Sequence, residues 1–178
     1  MRAFIALPLP DSSLPALVPL QRQLRVGRPV PPENLHLTLV FLDEQSDEAL
    51  EALHGELLRL RVPAFPVTLR GLSTMGGDPP RILAAEADAS PPLVALHKAV
   101  TGAARRAGLV LPARRFRPHV TLTRLGRGDS TARSPALAGL AGFHHETAPL
   151  TAFALYESIL RPSGAEYEAL AVYPLIPT

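Results

Sequence analysis

The stretches His36-Leu37-Thr38-Leu39 and His119-Val120-Thr121-Leu122 decide the fold and the chemistry of this chain. Each stretch alternates a histidine and a threonine with apolar residues. In an extended strand, side chains two residues apart leave the same face. Each copy therefore predicts a strand with an imidazole and a hydroxyl on one face and buried apolar side chains on the other. Two such strands can present two histidines to one substrate.

The composition predicts one folded unit. A chain of 178 residues can bury one sizeable core, and we expect a single domain over residues 1–178 made of two similar lobes. With 47% hydrophobic and 19% charged residues it is neither disordered nor fibrous. No apolar run reaches the ~18 residues that span a bilayer, and no signal peptide is evident, so we expect a cytoplasmic monomer without membrane contact. The absence of cysteine excludes thiolate chemistry and cysteine-based metal sites.

Strands and helices alternate along the chain. The apolar pattern predicts strands at 4–7, 35–42, 65–72, 81–87, 117–125, 145–150, 153–160 and 167–173. It predicts helices over 11–25, from the cap Ser46 to Pro63, and from the cap Ser90 to near Gly108. Pro19 is expected to kink or shorten the first helix. Residues 126–142 are predicted to form a loop with one short helix.

The sequence does not support a third catalytic histidine, a metal site or a catalytic serine. A third His-x-Thr, at His145, has Glu146 in place of the apolar residue, so we expect exposed histidines there. His54 and His97 stand alone in predicted helices and are interpreted as structural or surface residues. No metal-ligand spacing, serine elbow or phosphate loop occurs, so neither metal nor cofactor is expected. Acid-base catalysis remains, because an ordinary imidazole pKa of ~6.5 allows either role near neutral pH.

Basic residues surround the second motif. Of the 18 basic side chains only Lys98 is a lysine. Planar guanidinium groups suit phosphate oxygens. The cluster therefore indicates a phosphorylated or nucleic-acid partner, or else a solvated basic face; it comprises Arg114, Arg115, Arg117, Arg124 and Arg127.

Alternation also assigns two neighbouring side chains to a face. Arg117 falls on the face of His119, where it can contact phosphate. Phe41 falls on the face opposite His36 and is expected to lie in the core, although it could also contact a base.

With both motifs in place, the chain resembles the 2H phosphoesterase superfamily. Within that superfamily it is similar to the bacterial RNA 2',3'-cyclic phosphodiesterases, also called 2'-5' RNA ligases. The resemblance rests on residues 4–6, 33–42 and 116–124, and on the C-terminal stretches 155–158, 164–167 and 173–175. One departure is Asp43, where a glycine is common, and we expect it to alter the following turn more than the chemistry.

The resemblance implies a fold and an activity. The fold is α+β and bilobal, with two antiparallel sheets facing across a central cleft and helices on the outside. The activity is metal-independent hydrolysis of an RNA terminal 2',3'-cyclic phosphate to a 2'-phosphate, with weak reversible 2'-5' ligation in some members. The expected partners are RNA ends or nucleotides that carry the cyclic phosphate, and no obligate protein partner is implied.

The resemblance also assigns roles to residues. His36 is the proton donor and His119 the proton acceptor, an assignment that the near symmetry of the two motifs does not make by itself. From their chemistry and position we expect Thr38, Thr121 and Arg124 to donate hydrogen bonds to the phosphate, and Arg117, on the face of His119 by alternation, to contact it as well. Two alternatives stay open: a non-catalytic module that binds RNA ends, and a 2H phosphodiesterase for a small cyclic nucleotide or ADP-ribose cyclic phosphate.

Overall fold

The computed structural model describes residues 1–129 and 139–178, and within these ranges it contains three α-helices and nine strands. The helices are α1 (Leu14–Leu24), α2 (Asp47–Leu57) and α3 (Pro91–Arg106), and short 3-10 turns cover Asp11–Ser13 and Pro32–Asn34. The strands are β1 (Arg2–Pro8), β2 (Arg28–Pro29), β3 (His36–Glu44), β4 (Thr68–Met75), β5 (Ile82–Ala87), β6 (His119–Arg124), β7 (His144–Glu146), β8 (Ala152–Arg161) and β9 (Gly164–Pro174). The loop predicted at 126–142 lies largely outside the described residues.

All strand pairs in the sheet are antiparallel, and the strands follow the order β7-β4-β5-β6-β3-β1-β8-β9, with β2 also paired to β6. The predicted mixed α and β architecture is confirmed. The two expected sheets are joined into one, because β3 and β6 meet through the pair Leu37 and Val120. The two strands that carry the motifs are therefore direct neighbours at the middle of the sheet.

Helices cover the face of the sheet opposite the motif histidines. Helix α1 contacts β6, α3 contacts β3, and α2 packs on α3. Leu93, Leu96 and Val100 of α3 are fully buried, as are Leu37 and Val120 of the motif strands. Burial of each such large aliphatic side chain stabilises the fold by about 1.5–3 kcal/mol. The core thus holds the two motif strands from behind.

A buried amide links α1 to the second motif strand. The Gln21 Nε2 donates to the carbonyl oxygens of Val30 at 2.9 Å and Leu122 at 2.8 Å. Helix α1 continues through Pro19 to Leu24, so the proline does not shorten it. No helix within residues 1–129 and 139–178 is both long enough and apolar enough to cross a membrane.

The helix starts show one confirmed cap and one correction. Ser46 caps α2, because its Oγ accepts from the backbone N–H of Ala49 at 3.2 Å. Ser90 is extended and begins α3 through its carbonyl, but its side chain makes no cap bond. Pro91 and Pro92 follow it, and neither has an N–H to be capped. The third helical residue, Leu93, keeps its N–H, but the Ser90 side chain does not accept from it, so the sequence signal identified the cap position and not the side-chain bond.

Strand β4 begins and ends later than predicted. It spans Thr68–Met75 instead of 65–72, and Phe65 forms only an isolated bridge to Leu150. Gly71, at a φ of 74°, lies where the pairing of β4 with β5 shifts register, and the strand continues beyond it. The prediction ended the strand at Leu72 because residues 73–80, which contain Gly76-Gly77-Asp78-Pro79-Pro80, have the composition of a turn.

The backbone conformation of Asp43 accounts for the glycine that is common at this position in the family that the chain resembles. Its φ is 55°, in the left-handed region that glycine adopts most easily. It lies near the end of β3 and pairs with Ala3 of β1, where the register shifts. Aspartate tolerates this conformation better than most other residues. A glycine would adopt this φ without strain.

Candidate active site

The two motifs lie side by side on neighbouring antiparallel strands. Because Leu37 pairs with Val120, the same register sets His36 across from Thr121 and Thr38 across from His119. Leu37 and Val120 are fully buried, whereas the histidines and threonines are only partly buried on the other face. The alternation predicted from the sequence is confirmed for these residues. It brings two imidazoles and two hydroxyls to one surface.

A backbone carbonyl sets the tautomer of His36. The Nδ1 atom lies 2.6 Å from the carbonyl oxygen of Asn34, two residues upstream. A carbonyl oxygen only accepts, so Nδ1 carries a hydrogen and donates it. The Nε2 atom lies 3.0 Å from Oγ1 of Thr38. In the neutral ring, Nε2 of His36 is therefore the nitrogen without a hydrogen, and it lies next to the hydroxyl of its own motif.

His119 is held in the same way. Its Nδ1 lies 2.7 Å from the carbonyl oxygen of Arg117, again two residues upstream, and donates to it. In the neutral ring both imidazoles consequently leave Nε2 without a hydrogen, so that it can accept a proton; Nε2 of His36 accepts from the hydroxyl of Thr38. The repeated sequence motif is thus matched by a repeated hydrogen bond.

Burial lowers the pKa of His36 below its ordinary value of 6.5. The carbonyl of Asn34 opposes this effect by favouring the protonated ring, while the positive charges of Arg124 and His119 lower the pKa further. The ring of His36 also lies 5.2 Å from that of Phe4, centroid to centroid. In the protein without substrate, the neutral imidazole is therefore favoured at this position.

One cleft of about 590 Å³ contains both motifs. His36, Thr38, His119 and Thr121 line it, together with Arg124. The lining also includes the aromatic residues Phe4, Phe41 and Tyr167 and the polar residues Ser158 and Arg161. A cleft of this size can hold a nucleotide-sized ligand, since small-molecule sites span about 300–1,000 Å³. Five of the six residues named from the sequence as site residues therefore share one cavity.

Tyr167 connects two of these residues. Its hydroxyl accepts from Nη2 of Arg124 at 2.9 Å. Its ring meets the ring of His36 edge-on, with centroids 5.3 Å apart and an interplanar angle of 90°. Sequence reasoning quoted Tyr167 only as part of the resembling C-terminal stretch. Its contact with the site depends on the order of strands, which places β9 two strands from β1, and no local pattern reveals that.

Arg117 lies beside the cleft, and its side chain is paired with Glu86. Its Nε donates to Oε1 of Glu86 at 3.0 Å. This hydrogen bond is the main reason why the pKa of Glu86 lies below its ordinary value. Arg117 lines an adjoining groove that also reaches His119. Its backbone carbonyl, which orients His119, is the contact that joins it directly to the two-histidine site.

The prediction that Phe41 lies in the core is wrong. Its side chain is 51% exposed and lines the cleft. The register between β1 and β3 shifts here, since Ile5 pairs with Val40 while Ala6 pairs with Thr38. This bulge inserts one extra residue and turns Phe41 to the face of His36. Strict alternation from His36 fails for that reason.

Two other histidines, His54 and His145, make structural contacts. His54 Nδ1 lies 2.8 Å from the hydroxyl of Tyr173, as expected for a histidine outside the site. His145 is partly buried, and its Nε2 lies 2.9 Å from Oγ of Ser13. The expectation that His145 is exposed is therefore wrong, because β7 pairs with β4 and places it against the 3-10 turn.

The residues of the cleft are suited to acid-base work on an anion. The two imidazoles can give and take protons, and the two hydroxyls and the Arg124 guanidinium can donate to phosphate oxygens. Within residues 1–129 and 139–178, no three His, Asp or Glu side chains lie close enough together to hold a metal ion.

Comparison with known proteins agrees with this site. The sequence profile of the 2'-5' RNA ligase superfamily matches residues 9–158, and the chain belongs to this superfamily. The RNA 2',3'-cyclic phosphodiesterase of Thermus thermophilus is 35% identical over 187 aligned residues, which cover 98% of this chain and 90% of that protein. The Escherichia coli protein of the same name is 34% identical over 84% of this chain and 80% of its own length. The resemblance drawn from the sequence is thereby confirmed.

Solved structures give the same result. The crystal structure of TT0787 of Thermus thermophilus has a TM-score of 0.76 and 31% identity, and covers 98% of both chains. The Escherichia coli LigT structure complexed with 3'-AMP has a TM-score of 0.79 and 30% identity, and covers 98% of this chain and 97% of its own. The likeness therefore spans both halves of the sheet.

Proposed function

We propose that this protein hydrolyses the 2',3'-cyclic phosphate at an RNA end to a 2'-phosphate, with two histidines and no metal. The observation that carries the proposal is the convergence of both His-x-Thr motifs on one cleft, where Nδ1 of each histidine donates to a backbone carbonyl and Nε2 is left for proton transfer. Relatives over 97–98% of the chain are named RNA 2',3'-cyclic phosphodiesterase, which supports the same reaction.

The proposed reaction is an in-line displacement at phosphorus. Neutral His119 accepts a proton at Nε2 from a water molecule, whose oxygen forms the new bond to phosphorus. The bond from phosphorus to the ribose 3'-oxygen breaks, and protonated His36 gives its Nε2 proton to that oxygen. The product carries a 2'-phosphate and a free 3'-hydroxyl. A proton then returns from His119 to His36 through solvent.

Three donors stabilise the charge that develops at phosphorus. The hydroxyls of Thr38 and Thr121 lie on the face of the histidines and can donate to the non-bridging oxygens. The guanidinium of Arg124, held by the Tyr167 hydroxyl, adds a fixed positive charge. Preorganised donors of this kind act most strongly where charge is greatest in the transition state. We assign Arg117 the lesser role of orienting His119 through its carbonyl.

Because the pKa of His36 is lowered in the free protein, the negative charge of the substrate helps to protonate this residue. Burial and the neighbouring positive charges favour the neutral ring, whereas the acid role needs the protonated one. A cyclic phosphodiester carries one negative charge. Placed next to His36, it favours the imidazolium and opposes the effect of Arg124. Binding of the substrate thus raises the fraction of enzyme that is ready to donate a proton.

The same site supports a weak ligation in principle. If a 5'-hydroxyl of a second RNA replaces water, His119 accepts its proton and His36 again protonates the 3'-oxygen. The product is then a 2'-5' phosphodiester. Water is far more concentrated than RNA ends, so hydrolysis is expected to dominate.

The test is an assay of product identity in the presence of EDTA. An oligoribonucleotide that ends in a 2',3'-cyclic phosphate is incubated with the protein, and mass spectrometry detects the gain of one water. Phosphorus NMR of the product from a cyclic mononucleotide then separates a 2'-phosphate from a 3'-phosphate. A 2'-phosphate is expected. A 3'-phosphate would contradict the proposed bond cleavage, and an intact end with measurable binding would favour an RNA-end binding module.

A further inference from the structure

A second groove continues from the cleft. It measures about 620 Å³ and shares Thr38, Phe41 and His119 with the cleft that holds the two motifs. From there it extends between helix α3 and the segment 111–117 that leads into β6. We call it the side groove. Because the two cavities share three residues, a chain molecule that has its end at the histidines can continue into the side groove.

The side groove is positively charged. Its lining includes no Asp or Glu among the described residues, whereas five of its side chains are cationic: Lys98, Arg105, Arg114, Arg115 and Arg117. Arg117 is neutralised by Glu86. The other four are exposed, and in residues 1–129 and 139–178 none of them forms a salt bridge. Their charge is therefore available to an anionic partner.

The side groove also presents a stacked pair of rings. His97 and Phe116 both line it, and their rings are nearly parallel, at an angle of 8° with centroids 3.9 Å apart. Burial, together with the charge of Arg105, lowers the pKa of His97 and so favours its neutral ring. A neutral aromatic ring with one face already stacked can take a nucleobase on the other. Cationic side chains combined with stacking rings are the usual means of binding single-stranded nucleic acid.

We propose that the side groove binds the single-stranded RNA immediately 5' to the terminal nucleotide. Resting on the proposed function, this inference names the substrate as a polynucleotide end and extends the binding site beyond the nucleotide that reacts. The backbone phosphates lie along Arg114, Arg115 and Lys98, and a base stacks on His97. Neither sequence nor family resemblance singled out His97, which was interpreted as structural.

Reversing the charge of two arginines in the side groove tests the proposal. The test measures RNA binding, so it does not depend on catalytic turnover. The probe is a fluorescent 12-nucleotide single-stranded RNA with a terminal 2'-phosphate, and anisotropy gives its Kd at 50 and 200 mM salt. The variant is Arg114→Glu with Arg115→Glu. The control is Arg22→Glu with Arg61→Glu, which makes the same charge change at exposed residues that line neither cavity.

Two lost phosphate contacts set the size of the effect. A single strand contributes a salt slope of about 0.7 per contact, so two contacts weaken binding about sevenfold over this fourfold rise in salt. The wild type and the control variant should show at least this dependence. For the groove variant, the rise in Kd between 50 and 200 mM salt should be about sevenfold smaller than for the wild type. This variant should also bind more weakly at 50 mM. Equal Kd values and slopes for both variants would overturn the proposal.

Two further measurements separate the possible failures. A blunt duplex of the same length should bind more weakly than the single strand, because its bases are not free to stack; equal binding would refute the stacking part. The groove variant should also lower kcat/KM for the cyclic-ended 12-mer relative to a cyclic mononucleotide. If the wild type hydrolyses neither substrate, the proposed function fails, and the Kd values still decide the side groove.

Discussion

Removing the Tyr167 hydroxyl tests whether this residue positions the site. Tyr167→Phe deletes the acceptor that Arg124 contacts at 2.9 Å but keeps the ring against His36. A hydrogen bond of this kind contributes about 0.5–1.5 kcal/mol net, and Arg124 is exposed enough for water to replace the lost partner. The expected loss in kcat/KM is therefore about 2- to 13-fold.

Removing the ring should cost more. Tyr167→Ala also deletes edge contacts with Phe4 at 5.0 Å and His36 at 5.3 Å. At about 1 kcal/mol for each aromatic pair, the additional loss is about 30-fold. Since the pKa of His36 depends on its burial, Tyr167→Ala should also raise that pKa and shift the pH profile of kcat/KM.

The assay compares kcat/KM on an RNA that ends in a 2',3'-cyclic phosphate. Tyr156→Phe is the matched control, because Tyr156 stacks on Phe4 from another strand at 5.2 Å and does not line the cleft. The control should stay within about twofold of the wild type. If Tyr167→Phe equals this control, the Arg124 contact has no catalytic part. If Tyr167→Phe loses as much as Tyr167→Ala, the ring contacts with His36 do not matter.

Three further outcomes follow from the structure. Because burial lowers the pKa of His36 and the acid role needs its proton, kcat/KM should fall on the alkaline side, and because the base role needs neutral His119 it should also fall on the acid side; a flat profile from about pH 5 to 9 would contradict the pair. Phe41→Ala should raise KM in steady-state assays but reduce the free energy of unfolding by less than about 1 kcal/mol, since the side chain is 51% exposed; a larger loss in urea unfolding would return Phe41 to the core. Gly27→Ala should destabilise the fold by at least about 1–2 kcal/mol in the same unfolding assay, because φ is 68° and a Cβ would collide with the carbonyl oxygen of Arg124; an unchanged midpoint would refute this.

The motif strands could be predicted because their information is local. Alternation of apolar and polar residues places Leu37 and Val120 in the core and the histidines opposite, which the structure confirms. The cap at Ser46 is equally local. These features depend on residues only a few positions apart, so a single sequence is enough to find them.

The missed features depend on residues far apart in sequence. Phe41 reaches the cleft because β1 and β3 pair with a bulge, and no periodicity within β3 reports that bulge. Tyr167 contacts Arg124 because β9 folds back beside β8, which pairs with β1. Arg117 was predicted to begin the motif strand, but β6 begins at His119, and the partner of Arg117, Glu86, lies on β5. Pairing between distant strands decides all three contacts.

The pair of histidines is tested most directly by a double-mutant cycle. His36→Ala, His119→Ala and the double variant are assayed for kcat/KM on an RNA with a 2',3'-cyclic phosphate end. His54→Ala, which lies outside the site, serves as the control, and circular dichroism verifies folding. Each single variant should lose about 10²- to 10⁴-fold, and the double variant should lose little more, because the two imidazoles act as one unit. Near-normal turnover by either folded single variant would contradict the two-histidine mechanism.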